Sequence, residues 1–216
     1  MGSGISLTLI IVILAGLISF QAFGNVAMRE KLLLHPRSIR KQGEYYRFLT
    51  HGFVHGDWGH LLINMYVLYV FGEQIEFAFD AVFSPALGKI IYLGLYLGAI
   101  VLSSLPAYYK HKHNPYYGAL GASGGTSAIV FAYIIFGPWE WFTFPPLPAI
   151  ILGIGYLWYS SYMGKRGMDN IGHDAHFWGA VFGFVFTMTM FSIFQPAMVD
   201  YFFDQLLAGP KPPNLF

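Results

Sequence analysis

Apolar residues dominate this chain in six stretches, each long enough to form a membrane-crossing helix. A helix rises about 1.5 Å per residue, so roughly twenty apolar residues cross a hydrocarbon core about 30 Å thick. The pattern predicts an all-α membrane protein, a bundle of six transmembrane helices at about 5–24, 58–79, 86–107, 118–137, 146–163 and 174–195. We expect a single transmembrane domain over residues 1–208, followed by a short tail over 209–216.

The first connection, residues 25–57, is longer than the others and mixes apolar, aromatic and basic residues. Loops of this length are usually functional or disordered. Its apolar content favours a folded element that rests at the membrane interface, with contributions from Leu32 to Leu34, Tyr45, Tyr46 and Phe48. The stretch before it has neither a basic start nor a small-residue cleavage site, so we interpret it as a retained helix, not a signal peptide.

The composition agrees with a membrane protein and excludes several kinds of site. The chain is 56% hydrophobic and 11% charged, whereas ordinary soluble domains are about 25% charged. A formal net charge of +1 argues against a nucleic-acid partner. The absence of cysteine excludes a disulfide framework, a thiolate nucleophile and a thiolate metal site.

A serine surrounded by small residues stands in the fourth stretch, at Ser123 within Gly121–Gly125. The simpler interpretation of such a run is close packing between membrane helices. The Gly-x-Ser-x-Gly elbow of soluble α/β-hydrolases does not fit, because no strand precedes it. The functional interpretation is a nucleophile near a helix start, where unpaired backbone N–H groups and the helix dipole favour developing negative charge.

A histidine, His176, opens the sixth stretch. Ionisable residues inside hydrocarbon are costly, so an intramembrane histidine indicates a functional site. Gly179 and Gly183 follow it and form a small face, which predicts tight contact with the helix of Ser123. That contact would bring the imidazole within about 3 Å of the serine oxygen, as a nucleophile–base pair requires. Asp174 is two residues before His176, and side chains at this spacing on a helix do not face each other. We therefore do not expect Asp174 to complete a triad.

Three histidines and an asparagine lie before and within the second stretch: His51, His55, His60 and Asn64. The spacing of His51 and His55 could suit a metal on a helix, but the glycines around them weaken that helix, and we expect no metal. His60 and Asn64 share one helix face. They are either a polar pair that joins helices or, with the Ser123 N–H, donors of an oxyanion hole.

Together these residues resemble the motifs of the rhomboid intramembrane serine proteases, over most of the span from Arg47 to Gly183. The family's Gly-x-Ser-Gly motif corresponds to the segment from Gly121 to Gly124, and its Ala-His-x-x-Gly motif to the segment from Ala175 to Gly179. Its histidine-rich second helix corresponds to the histidines and asparagine just named. The resemblance implies Ser123 as nucleophile and His176 as base, with His60, Asn64 and the Ser123 N–H as the oxyanion hole and with no cofactor.

The resemblance has further implications. Arg47 is similar to an arginine of the family's first loop, with Tyr46 where tryptophan is common. Ser127 stands where some members carry a tyrosine that packs on the catalytic histidine, so we expect another aromatic residue, such as Phe177 or Trp178, to restrain His176. The fifth helix is implied to be a mobile wall past which substrate enters sideways. We expect a polar cavity lined by residues 51–60 and capped by residues 165–173.

These observations predict an intramembrane serine endopeptidase that cleaves transmembrane segments of membrane proteins through an acyl-enzyme. One alternative is an inactive rhomboid-like protein that binds transmembrane clients. Another is a small transporter whose polar residues line a pathway. The titratable residues gather at one membrane depth, which disfavours the transporter. The expected location is a bacterial inner membrane, as a multi-pass protein.

The distribution of cations conflicts with the family's orientation. Of the 12 lysines and arginines, all but Lys89 and Lys211 fall on the side that holds the first, third and fifth connections. The positive-inside rule would then put both termini outside. The family's usual topology puts them in the cytoplasm, and we follow the family, interpreting the cations of the first connection as interfacial.

Overall fold

The computed structural model describes residues 6–142, 146–166 and 172–210. Within these ranges nearly all of the chain is helical, and pairing between extended residues is limited to two isolated bridges. A short 3₁₀ turn, His51–Phe53, follows the fourth helix. The α-helices are α1 (Leu7–Gly24), α2 (Val26–Leu32), α3 (Pro36–Gln42), α4 (Arg47–Thr50), α5 (Trp58–Phe83), α6 (Pro85–His111), α7 (Ser123–Phe136), α8 (Ala149–Arg166), α9 (His173–Phe194) and α10 (Ala197–Ala208).

Three of the described helices, α1, α6 and α9, are long and apolar enough to cross a membrane by length and composition. The helix α5 has 26 residues but carries carboxylates in its second half. The helix α7 has only 14 residues. At about 1.5 Å per residue it is roughly 21 Å long, which is less than the roughly 30 Å of a hydrocarbon core. The described part of the chain is therefore nearly all helical, and three of its helices are candidates to span a membrane.

Several helix ends differ from the predicted spans. The helix α5 continues to Phe83 because Phe79 and Phe83 extend its buried face, and the backbone of Phe79 lies against Gly88 of α6. The helix α6 runs to His111, beyond the predicted end at 107. The helix α7 begins at Ser123 and not at 118, because backbone groups between these positions are bonded to the first connection.

The helix α7 occupies the centre of the bundle. Ten of its 14 residues are buried, and it contacts α5, α6, α8 and α9. A helix that is apolar and buried on all sides is expected in the core of a membrane bundle. Its closest partner is α9, and α6 packs against both. The residue that begins α7 is therefore held by several neighbouring elements.

The first connection folds into the three short helices α2, α3 and α4. Leu34 and Ile39 are buried against Ala107, near the end of α6. Leu34 also exchanges two backbone hydrogen bonds with Ala119, at 2.8 and 3.1 Å. The guanidinium of Arg47 is buried and donates to the carbonyl oxygens of Glu30 and Leu33, at 2.7 and 2.8 Å. This cation thus joins α4 to α2 inside the protein.

One described helix was missed by the hydrophobic pattern. The helix α10 follows α9 directly and buries Phe202. Trp139, in the connection after α7, donates from Nε1 to the carbonyl oxygen of Leu206 at 3.0 Å. The aspartates and exposed aromatic residues of this segment make its apolar stripe short, and the six-stretch pattern therefore ended before it.

Candidate active site

Ser123 is the first residue of α7, and the backbone before it makes a sharp turn. Gly121 has a φ of +121°, which side chains with a Cβ rarely adopt. A Cβ atom at Gly121 would also lie 2.6 Å from Cε1 and 2.7 Å from Nε2 of His60. Conformation and space therefore both require glycine, and the imidazole of His60 lies against the turn that leads into Ser123.

The end of the first connection fixes this turn. The N–H of Gly121 donates to the carbonyl oxygen of His51 at 2.9 Å. The N–H of Ala122 donates to Nε2 of His55 at 3.3 Å. Two of the conspicuous histidines therefore hold the backbone next to Ser123. Sequence reasoning missed this role because the partners are about seventy residues apart along the chain.

His55 has a defined protonation state. Nδ1 lies 2.9 Å from Oγ of Ser19, and this hydroxyl donates to the carbonyl oxygen of Phe53 at 3.0 Å. The proton of His55 is therefore on Nδ1, and Nε2 accepts from Ala122. Burial, together with the smaller effect of the nearby His60, lowers the pKa of His55 to about 3. Neither ring nitrogen of the neutral side chain is left for a metal.

His51 is buried as well. Loss of solvation lowers the pKa of its side chain to about 4, although the nearby backbone groups of Ile100 and Phe48 favour the charged form. His51 and His55 are therefore neutral at physiological pH. They do not line the cavity described below, whereas His60 does.

The helices α7 and α9 approach each other through small residues. A Cβ atom on Gly179 would lie 2.3 Å from the carbonyl oxygen of Gly124, and one on Gly183 would lie 2.4 Å from that of Ala128. The two pairs have the same separation of 55 residues (179 − 124 and 183 − 128), so the helices run parallel. This is the contact that the spacing of small residues predicts.

This register puts Ser123 and His176 at the same end of the helix pair. Ser123 immediately precedes the contact between Gly124 and Gly179, and His176 lies three residues, nearly one helical turn, before Gly179. Ser123 is level with the sixth residue of α9, which begins at His173. At about 1.5 Å per residue, Ser123 lies roughly 8 Å below the start of α9. The serine is thus recessed in the bundle.

His60 and Asn64 lie on α5, facing the start of α7. Nδ2 of Asn64 donates to the carbonyl oxygen of His60 at 2.9 Å, and Oδ1 accepts from Oγ1 of Thr126 at 3.1 Å. The same hydroxyl lies 3.1 Å from the carbonyl oxygen of Ser123. Thr126 therefore orients the amide of Asn64 relative to α7. Sequence reasoning did not single out Thr126, because one threonine in a run of small residues gives no signal.

The imidazole of His176 lies beside an aromatic ring from α8. The rings of Tyr156 and His176 are nearly parallel, at 17°, with centroids 5.9 Å apart. The hydroxyl of Tyr156 lies 2.7 Å from Oγ of Ser127 on α7. Offset stacking at this separation is a favourable arrangement of two rings.

The expectation that Phe177 or Trp178 restrains His176 is wrong. These two rings contact each other, with centroids 5.4 Å apart, and Trp178 is 45% exposed. Adjacent residues on a helix point in different directions, so neither ring can cover the imidazole next to it. The aromatic residue comes from the neighbouring helix α8.

A cavity of about 1850 Å³ brings the predicted site residues together. Its wall includes the four side chains of Ser123, His176, His60 and Asn64. The wall continues along α7 to Ile134, 11 residues or roughly 16 Å further on. Over that length it is mostly apolar and is formed by α5, α7 and α8. The cavity thus has a polar end at Ser123 and an apolar groove beside it.

Two other features of the sequence bear on this cavity, the predicted cap over residues 165–173, of which Gly172 lines the wall, and Asp174. Of the predicted cap, residues 167–171 and the side chains of 165 and 166 fall outside the described residues. Asp174 lies with its carboxylate 3.7 Å from Nζ of Lys110 on α6, and it does not line the cavity. This carboxylate therefore neutralises a lysine near the surface.

Comparison with known proteins adds independent findings. A family model described as "Rhomboid domain" matches residues 42–193. The "RHOMBOID-like protein 12, mitochondrial" of Arabidopsis thaliana is 32% identical to this chain over 155 residues. That match covers 65% of this chain and 45% of the relative, so the chain spans about half the length of the curated relative.

Proposed function

The chain belongs to the rhomboid family, and we propose that it is an intramembrane serine endopeptidase. The observation that carries the proposal is the cavity in which Ser123, His176, His60 and Asn64 meet at the polar end of an apolar groove. Serine and histidine are the minimum for nucleophilic catalysis, and amide and imidazole N–H groups are typical oxyanion donors. The groove is suited to an apolar polypeptide segment.

In the proposed reaction, His176 removes the proton from Oγ of Ser123 as this oxygen bonds to the scissile carbonyl carbon. The C–N bond then breaks, and the amine leaves with the proton from His176. Water, deprotonated by His176, hydrolyses the resulting ester and restores the serine. General base assistance of this kind contributes about 10²–10⁴-fold to the rate.

His60 and Asn64 would stabilise the oxyanion together with the backbone N–H of Ser123. Asn64 has one amide N–H bonded to its own helix, and Thr126 holds the amide oxygen. This leaves the second amide N–H, which has no protein acceptor among the described residues, for a ligand in the cavity. A donor of this kind is typically worth about 2.7–4 kcal/mol in the transition state.

The proposed substrates are transmembrane segments of other membrane proteins, which would enter between α5 and α8. We propose a six-span domain over residues 1–208, in which α5, α7 and α8 cross beside the three apolar spans α1, α6 and α9. The short length of α7 supports a scissile bond that lies below the membrane surface. Water would reach Ser123 through the polar end of the cavity.

The protein is proposed to be an integral, multi-pass membrane protein with cytoplasmic termini, as in the family. The internal contacts of Arg47 support the interpretation that cations of the first connection do not set the orientation. The reported relative is named as a mitochondrial protein of a plant, so the expected bacterial inner membrane has no support.

The test is cleavage of a model single-pass substrate by the protein reconstituted in liposomes. Ser123→Ala and His176→Ala are expected to reduce the rate by at least about 10³-fold, because each removes half of the dyad. Matched controls are Ser192→Ala, whose hydroxyl bonds to its own helix, and His113→Ala, an exposed residue beside Arg40. Both controls should cleave at the wild-type rate.

The same preparation separates the protease from a client-binding protein. If wild type retains the substrate in detergent but never cleaves it, the inactive rhomboid-like alternative is correct. If Ser123→Ala cleaves as fast as wild type, the assignment of the nucleophile is wrong.

A further inference from the structure

Tyr156 connects three helices at the level of the candidate active site. Its ring stacks on His176 of α9, and its hydroxyl is hydrogen-bonded to Ser127 of α7 at 2.7 Å. One turn further along α8, Tyr159 contacts His173 edge-on, with centroids 5.6 Å apart. Two tyrosines of α8 therefore face two histidines of α9 at matching spacing.

The ring of Tyr156 limits the positions of the imidazole. A histidine side chain has several rotamers about χ1 and χ2, and its neighbours select among them. His176 is bordered by the ring of Tyr156 on one side and by that of His173 at 5.8 Å on another. Its stacking partner, however, belongs to a different helix, α8, which packs mainly on α9 and meets α7 at fewer points.

The hydroxyl of Tyr156 fastens α8 to α7 beside the cavity. Tyr156 and Ser127 both line the cavity, so a polypeptide that fills it contacts their hydrogen bond. A second contact between α8 and α7 lies farther from Ser123, where Gly153 packs on Ile134 and Phe131. The ring of Tyr156 also lies beside that of Phe131 on α7, with centroids 6.3 Å apart, and both residues line the cavity.

We infer that Tyr156 is a positioning residue that couples occupancy of the groove to the base. Its ring holds His176 in the orientation needed toward Ser123. The hydrogen bond between its hydroxyl and Ser127 closes the part of the groove near Ser123, and an entering substrate must break this bond. This inference rests on the proposed function. It assigns an effect on kcat to the ring of Tyr156 and an effect on KM to its hydroxyl.

The test uses variants that separate the ring from the hydroxyl. Tyr156→Phe and Ser127→Ala each remove the hydrogen bond and retain the ring. Both should lower KM by about 2- to 10-fold, which is the equivalent of one net hydrogen bond. Because they remove the same bond, the double variant should have the KM of either single variant.

Tyr156→Leu removes the ring and should lower kcat by about 10- to 100-fold, a larger effect on kcat than that of Tyr156→Phe. Restoring a ring from α7, in Tyr156→Leu with Ser127→Tyr, should recover most of the lost kcat. A merely structural role for Tyr156 would not give recovery by an aromatic residue on a different helix.

The rate at which a fluorophosphonate probe labels Ser123 provides a readout without substrate in the groove. Labelling should be slow in Tyr156→Leu, and faster again when Ser127→Tyr is added. Unchanged kcat and labelling in Tyr156→Leu would overturn the positioning role. Unchanged KM in Tyr156→Phe and Ser127→Ala, which lose only a hydroxyl and are expected to fold, would overturn the coupling to the groove. Absence of labelling in wild type would instead refute the proposed function itself.

Discussion

The contact between α7 and α9 predicts a severe effect of a single added methyl group. In Gly179→Ala the new Cβ would lie 2.3 Å from the carbonyl oxygen of Gly124, whereas ordinary contact begins at 3.4 Å. The helices must therefore move apart by about 1.1 Å (3.4 − 2.3) at this point. Neither partner can give way locally, because the obstructing atoms are helix backbone.

This displacement acts on the candidate dyad, since Ser123 and His176 lie within about one turn of the contact. A misplacement of about 1 Å can cost on the order of 10²-fold in rate. Overpacking of this kind should also lower the free energy of unfolding by about 1–3 kcal/mol. We expect Gly179→Ala to cleave a reconstituted substrate about 10²-fold more slowly and to melt at a lower temperature.

The control is Gly16→Ala on α1, where an added Cβ would meet nothing within 4 Å. Alanine has a higher helix propensity than glycine, by about 1 kcal/mol in soluble helices, so this variant should melt no lower than wild type. Both rates are compared per mole of folded protein. Gly179→Ala with activity within about threefold of wild type, and an unchanged melting temperature, would refute the proposed packing of the site.

Two further effects follow from the hydrogen bonds around the site. Thr126→Val removes the hydroxyl that donates to Asn64 and keeps the shape of the side chain. This variant should lower kcat about tenfold with little change in KM. An equal effect on kcat and KM, or no effect on either, would contradict the orienting role of Thr126. Lowering the pH from 6.5 towards 4 should decrease the free energy of unfolding, because unfolded histidines then bind protons that folded His51 and His55 exclude. Each histidine lowers the free energy of unfolding by up to about 1.4 kcal/mol per pH unit in this range, which melting curves in detergent would detect. Equal melting temperatures at pH 7 and pH 5 would contradict this prediction.

Local periodicity carried much of what the sequence predicted. The small residues at Gly179 and Gly183 are three and seven positions after His176, and this spacing is enough to indicate a helix face that packs closely. The contact with the helix of Ser123 follows because both faces consist of small residues. Family motifs then added the roles proposed for His60 and Asn64, which spacing alone left open.

Features that depend on distant parts of the chain could not be predicted in this way. His55 bonds to Ala122 across 67 residues, and Tyr156 bonds to Ser127 from another helix. The late start of α7 has the same origin, because the first connection takes the backbone donors that a longer helix would use. The periodic pattern of apolar residues does not predict which connection packs against which turn.

The most direct test of the central claim is to locate the adduct of a fluorophosphonate probe by mass spectrometry of the membrane-reconstituted protein. Nucleophilic attack assisted by His176 predicts one modified serine, Ser123, with no adduct in Ser123→Ala and strongly reduced labelling in His176→Ala. Modification of a different serine, or equal labelling of wild type and both variants, would contradict the account.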